Sequence, residues 1–126
     1  MTTLADKLAS EYNTHDPFLL AERMGITVRF FVFEKLIDVY YRCNDQRFIY
    51  LNDTLNSEQQ RIACAHCIGH DQLHSDLLPI AFMREQTEHP ICRLEKEATT
   101  FAIYLLYPET IIDEYTFSLI NSAMRI

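Results

Sequence analysis

The segment AHCIGHDQLH, residues 65–74, carries three histidines at intervals of four residues: His66, His70 and His74. It ends a longer stretch, residues 57–74, that predicts one helix. The sequence S-E-Q-Q at its start matches a capping box, with Ser57 as the N-cap and Gln60 at the third helical position. Residues four apart lie about 40° from alignment on a helix, so His66 and His70 share a face.

The shared face of His66 and His70 suits a metal ion. Two imidazoles on one helix face can take adjacent corners of a zinc tetrahedron, with a further ligand supplied from elsewhere in the chain. The spacing is that of the H-E-x-x-H zinc-protease motif, in which the glutamate takes a proton from the metal-bound water. Cys67 stands at the glutamate position here. A thiol is a poor substitute because sulfur prefers binding zinc to shuttling a proton.

The other polar residues of this helix have several interpretations. His74 lies about 80° round the helix from His66, so we expect it to support the ligands or the fold rather than to ligate. Asp71 is expected either to orient a histidine through its free ring nitrogen or to be an exposed helix acid. Cys64 is most simply a core residue, and a redox pair with Cys67 is not favoured because both thiols lie in mid-helix. Glycine at position 69 destabilises the helix by about 1 kcal/mol relative to alanine, which predicts a close backbone neighbour such as the sheet or a substrate strand.

Composition narrows the class of protein. The 126 residues are enough for one domain with a hydrophobic core, and we expect a single domain over residues 1–126. The net charge of −7 argues against general nucleic-acid binding, which requires a surplus of Lys and Arg. We also expect no membrane span and no signal peptide, four reduced cysteines and therefore a cytoplasmic location.

The rest of the chain predicts an α+β fold. A first helix is expected over residues 3–13, and a second begins at the Asp16-Pro17 cap and ends at Gly25. Three segments rich in β-branched and aromatic residues (26–33, 36–43 and 47–52) predict a three-stranded antiparallel meander packed against helices. Residues 75–91 are expected to form a poorly defined connection that holds a helical turn. Two more helices are predicted, over 93–107 and 110–123.

A third metal ligand is expected from the helix over residues 93–107. Its apolar stripe comprises Leu94, Ala98, Phe101, Ala102 and Leu105. Glu97 lies on the side of this stripe that faces the core, whereas Glu95 lies about 200° away by helical spacing. We therefore expect Glu97 to be the inward-facing acid.

Three segments together resemble the ImmA/IrrE metallopeptidases. These are DPFLLAERMGITV (16–28), FIYLNDTLNSEQQRIACAHCIGHDQLH (48–74) and EATTFAIYLLYP (97–108). The last is similar to the E-A-N-x-F-A-x-x-L-L-x-P segment that supplies the family's third ligand. The resemblance implies a zincin-like metallopeptidase core, shortened at its C-terminus, in which His66, His70 and Glu97 ligate zinc. It also places Cys67 at the position of the general-base glutamate, and Thr99 at that of the asparagine.

The resemblance implies a partner as well, since members of the family cleave or inactivate helix-turn-helix repressors of phages and mobile elements. Cys67 leaves three chemical outcomes open: an inactive relative that still binds its repressor, weak hydrolysis assisted by another residue such as His74, or a thiolate that blocks the metal. The functional hypotheses are therefore an impaired zinc peptidase, a non-catalytic antirepressor that sequesters its partner, and a metal-free α+β domain whose histidines merely pack.

Overall fold

The computed structural model describes residues 3–76, 81–85 and 93–108. These form four helices and a four-stranded sheet, which confirms the α+β class. The elements in chain order are α1 (Leu4–Tyr12), α2 (Pro17–Met24), β1 (Thr27–Phe31), β2 (Leu36–Cys43), β3 (Gln46–Asn52), α3 (Ser57–His74), β4 (Ala81–Glu85) and α4 (Arg93–Leu106). The helix predicted over 110–123 lies outside the described residues. Within the described ranges, no helix has both the length and the apolar character needed to cross a membrane.

Local capping signals place the helix ends. The Asp16 side chain accepts a hydrogen bond from the Phe18 amide, and Gly25 ends α2 in the left-handed conformation at φ 80°, both as predicted. The capping box of α3 lies one residue earlier than predicted. Asn56 is its N-cap, and the Gln59 side chain accepts a hydrogen bond from the Asn56 amide. The Asn56 side-chain oxygen accepts in turn from the Gln59 amide at 2.8 Å, and asparagine caps a helix as well as serine does.

The sheet is mixed, with the strand order β1-β3-β2-β4. β2 and β3 form the predicted antiparallel hairpin, but β1 pairs with β3 in parallel. The three-stranded antiparallel meander was therefore wrong in both the orientation of β1 and the number of strands.

Asn52 accounts for the position of β1. Its buried side-chain amide donates to the carbonyls of Phe33 and Leu36, at 3.0 and 2.9 Å. These two carbonyls flank the connection between β1 and β2, so the hydrogen bonds hold that connection across the end of β3. They stabilise the crossover by which β1 and β2 lie on opposite sides of β3 instead of side by side.

The fourth strand falls in the segment that was expected to be an irregular connection with a helical turn. β4 pairs antiparallel with β2, with Phe82 opposite Tyr40 and Met83 opposite Val39. It forms one edge of the sheet as described. Only residues 81–85 and 75–76 of the expected connection are within the described ranges.

The core lies between one face of the sheet and the helices. Buried side chains from the sheet, α3 and α4 meet there, among them Tyr40, Ile49, Leu51, Cys64, Ile68, Phe101 and Leu105. Burial of these side chains supplies the main stabilisation, at roughly 25 cal/mol per Å² of apolar surface. The histidine helix α3 is consequently held between the sheet and α4, with residues 62–71 buried.

Candidate metal centre

Gly69 allows α3 and α4 to approach closely at the level of the histidines. A Cβ atom at this position would lie 2.9 Å from the carbonyl oxygen of Ala98 and 3.1 Å from its Cα atom. The absence of a side chain therefore permits backbone contact between the two helices. The sequence predicted a close backbone neighbour, but that neighbour is α4 and not the sheet or a substrate strand. The approach brings the first turn of α4, which contains Glu95, over the face of α3 that carries His66 and His70.

Glu95 bridges the two histidines. One carboxylate oxygen, Oε2, lies 2.8 Å from Nε2 of His66, and the other, Oε1, lies 3.1 Å from Nε2 of His70. One nitrogen from each histidine and one Glu95 oxygen fall within 4.8 Å of one another. Two imidazole nitrogens and a carboxylate oxygen form a donor set that occurs in catalytic zinc sites, where the remaining position stays open to water or substrate.

Two of these atoms have unsatisfied bonding capacity. Nε2 of His66 and Oε2 of Glu95 are buried and have no hydrogen-bond partner of acceptable geometry among the described residues. A buried polar atom without a partner costs about 1–3 kcal/mol, so such atoms usually bind something. A cation between the nitrogen and the carboxylate would satisfy both. The residues present therefore fit a metal ion.

The electrostatics of Glu95 and His70 agree with this fit. Burial opposes ionisation of Glu95, but the two adjacent imidazoles outweigh that effect and lower the pKa of its carboxyl. Burial lowers the pKa of His70 to about 4, so this ring is uncharged at neutral pH, as metal binding requires. The pKa of His66 is shifted the other way. Burial lowers it, but the Asp38 charge and the contacts with the Asp38 and Glu95 carboxylates outweigh burial and raise it, so a metal would have to displace a proton from this ring.

The structure corrects the expected third member of the cluster, because Glu95 and not Glu97 meets the histidine pair. The Glu97 carboxylate lies instead 2.9 Å from Nε2 of His74. The cause is the orientation of α4, whose buried face includes Thr99 and Ile103 in addition to the apolar stripe. Thr99 is four residues beyond Glu95, so burying Thr99 turns Glu95 towards α3.

A buried ion pair that the sequence analysis missed lies behind His66. The Asp38 carboxylate on β2 is 3.3 Å from Nδ1 of His66 and forms a salt bridge with Arg84 on β4. Burial raises the pKa of Asp38, but the Arg84 and His66 charges outweigh it, so the net shift is downward. The sequence contained one signal for this acid. Asp38 lies two residues before the buried Tyr40 on β2, and residues two apart on a strand lie on the same face of the sheet.

Cys67 is fully buried beside this ion pair. Its ligand atom falls within 4.8 Å of those of Asp38 and His66, a group that shares His66 with the one containing His70 and Glu95 but includes neither of those two residues. Burial, reinforced by the Asp38 charge, raises the pKa of the thiol well above its usual value. A neutral thiol cannot take a proton from water, so Cys67 in this position lacks the chemistry of a general base.

His74 and Asp71 take different positions. His74 is buried, and its Nδ1 lies 2.9 Å from Nδ1 of His70, in a supporting position. Asp71 neither orients a histidine nor lies exposed, and both expectations were wrong. Its carboxylate accepts hydrogen bonds from the Tyr40 hydroxyl at 2.6 Å and from Arg47 at 2.7 Å, which ties α3 to the sheet.

Phe82 of β4 was not anticipated because the strand itself was not. Its ring stacks on the imidazole of His70, with a centroid distance of 4.2 Å and an interplanar angle of 8°. The stacking fixes the plane of the His70 ring and places an aromatic wall beside the histidine cluster.

Comparison with known proteins identifies the family. The profile of the family Peptidase_M78, described as "IrrE N-terminal-like domain", matches residues 21–124. A protein of Bacillus phage phi105, named "Uncharacterized immunity region protein 2", is 32% identical over 110 residues, which cover 86% of this chain and 69% of the phage protein. The family match spans the histidine helix and the segment that contains Glu95. The chain therefore belongs to the ImmA/IrrE family of metallopeptidase-like proteins, Peptidase_M78.

Proposed function

We propose that the chain binds one zinc ion through His66, His70 and Glu95 and inactivates a regulatory protein chiefly by binding it. The observation that carries the metal assignment is the pair of buried, unsatisfied atoms, His66 Nε2 and Glu95 Oε2, 2.8 Å apart. Membership of a metallopeptidase-like family supports the same assignment. A zinc ion bound there would supply Lewis acidity for peptide hydrolysis.

Cys67 is the reason for placing binding before cleavage. Hydrolysis at a site of this type requires a base that accepts the proton of the attacking water, and removing such a base lowers rates by about 10²–10⁴-fold. The Cys67 thiol is buried, and its pKa is raised, so it remains protonated. The ligand residues thus survive while the base is lost, and we propose impaired or absent peptidase activity.

The proposed partner is a helix-turn-helix repressor of a phage or mobile element, which the chain would bind in the cytoplasm. Family membership supports this, and so does the name of the phage relative, which places that protein in an immunity region. Two functional classes remain for the chain: an antirepressor that sequesters the repressor, and a slow peptidase that cuts it. The burial of Cys67 favours the first.

The two classes are separated by incubating the purified, zinc-supplemented chain with the helix-turn-helix repressor encoded nearest to its gene. The native chain is expected to co-elute with intact repressor in size-exclusion chromatography. A Cys67→Glu variant, which restores the carboxylate, is expected to cut the repressor to fragments on a denaturing gel. Efficient cleavage by the native chain would establish the peptidase class instead. A repressor that is neither bound nor cut by either protein would refute the proposed partner.

A further inference from the structure

Three side chains form a hydrogen-bonded row that leads from His70 to the surface. Nδ1 of His70 lies 2.9 Å from Nδ1 of His74, and Nε2 of His74 lies 2.9 Å from Oε1 of Glu97. His74 is 2% exposed, whereas the Glu97 side chain is 43% exposed. The row begins on the side of the His70 ring opposite to the Nε2 atom that faces Glu95.

The row and its contact with Glu95 comprise three short polar contacts, because Oε1 of Glu95 lies 3.1 Å from Nε2 of His70. Two neutral rings carry only two hydrogens on these nitrogens, so one of the three contacts must join two acceptors. In one arrangement His74 donates through Nε2 to Glu97 and accepts through Nδ1 from Nδ1 of His70. The Nε2 lone pair of His70 then faces Glu95, and a cation between them would satisfy both.

In the opposite arrangement Nε2 of His70 donates to Glu95 and Nδ1 of His70 accepts from His74. Neutral His74 then has no hydrogen on Nε2, and two acceptors face each other 2.9 Å apart at Glu97. A cation at the histidine pair excludes this arrangement, because the metal needs the Nε2 lone pair of His70. His74 and Glu97 thus complete the hydrogen bonding of the one His70 tautomer that can bind the metal.

We propose that His74 and Glu97 are positioning residues that hold His70 as the Nδ1–H tautomer, with the Nε2 lone pair presented to the metal. This deepens the proposed function and rests on the zinc site assigned there. Hydrogen bonding of a metal-bound histidine through its second nitrogen is a general device that fixes ring orientation and raises ligand basicity. Stacking of Phe82 on His70 restrains the same ring from its face.

The first test compares His74→Phe with His74→Gln. Phenylalanine fills the space but cannot accept from His70, whereas the glutamine side chain can accept through its oxygen and donate through its nitrogen. Zinc affinity is measured by competition with a chromophoric chelator, and folding by urea denaturation in excess chelator. His74→Phe should weaken zinc binding by about 10–100-fold, and His74→Gln should recover most of the loss. Equal affinity in native and His74→Phe chains, or equal losses in the two variants, would overturn the proposal.

A second measurement remains informative even if the chain binds no zinc. In a zinc-free Glu95→Gln chain, Glu97 is the carboxylate that remains beside the row, and ¹⁵N spectra of the imidazoles report which nitrogen of His70 is protonated. This chain should show the Nδ1–H tautomer of His70, and the additional change His74→Phe should remove the preference. An Nε2–H tautomer in the Glu95→Gln chain would overturn the positioning role. Absence of zinc binding by the native chain would instead refute the zinc site alone, so the two failures are distinguishable.

Discussion

Oε2 of Glu95 on α4 lies 2.8 Å from Nε2 of His66 on α3, although the two residues are 29 positions apart in the chain. The contact depends on how closely the two helices approach. That approach is permitted by Gly69, at which even a methyl group would meet the backbone of Ala98. The geometry of the candidate metal centre is therefore coupled to the packing of one glycine.

Gly69→Ala is expected to destabilise the fold. Alanine normally stabilises a helix interior by about 1 kcal/mol relative to glycine, so the usual effect has the opposite sign. Here the added Cβ would lie 2.9 Å from a backbone oxygen of α4, and relieving that overlap should cost about 1–3 kcal/mol. Urea denaturation in the presence of chelator measures the change. A more stable variant would contradict the close approach of the helices.

Asp71→Asn should lower stability without affecting zinc binding. The Asp71 carboxylate accepts from Tyr40 and Arg47, and an amide offers only one acceptor oxygen and no charge for Arg47. We expect a loss of about 1–3 kcal/mol in urea denaturation and an unchanged zinc stoichiometry. The exposed Asp53→Asn is the matched control and should change stability by less than about 0.5 kcal/mol. A loss of zinc from Asp71→Asn would show that Asp71 supports the ligands after all.

Cys67→Ala should bind zinc as tightly as the native chain. The thiol belongs with Asp38 and His66 rather than with the cluster of His70 and Glu95, so its removal takes no ligand from the metal. Chelator competition measures the affinity, with Cys64→Ala as the control for loss of a buried thiol on the same helix. A fall of tenfold or more that is specific to Cys67→Ala would place its sulfur among the ligands.

Thiol labelling should separate the cysteines by burial. Cys43 is exposed, whereas Cys64 and Cys67 are buried, and burial raises the pKa of both thiols, so little reactive thiolate forms on either. In a Cys92→Ser background, which removes the one cysteine outside the described ranges, an aromatic disulfide reagent at pH 8 should label Cys43 rapidly. Cys64 and Cys67 should react only after denaturant is added. Rapid labelling of three thiols in the native state would contradict the burial of α3.

Local signals account for the parts of the fold that the sequence predicted. Asp16, Pro17 and Gly25 specify α2 through their own capping preferences, and strand composition located β2 and β3. The position of β1 is not local, since it depends on Asn52 reaching carbonyls 16 and 19 residues earlier in the chain. β4 escaped prediction because its five residues show no alternation that distinguishes an edge strand from a loop.

In the candidate site, helical spacing predicted the histidine pair but not the glutamate beside it. Spacing of four residues identified His66 and His70 as neighbours, and the structure brings them together. The choice between Glu95 and Glu97 depends on which face of α4 is buried. Thr99 contributes to that face, but a search for apolar periodicity does not count a polar residue such as threonine. Helical spacing alone therefore selected the acid that meets His74 instead of the one that meets the pair.

The zinc content of purified Glu95→Gln and Glu97→Gln, measured by mass spectrometry beside the native chain and His66→Ala, tests the central claim most directly. The two glutamates lie two residues apart and undergo the same substitution, so their comparison isolates the ligand. We predict about one zinc ion per chain in the native protein and in Glu97→Gln, and almost none in Glu95→Gln or His66→Ala. A zinc-free native chain, or loss of zinc from Glu97→Gln but not from Glu95→Gln, would contradict the account.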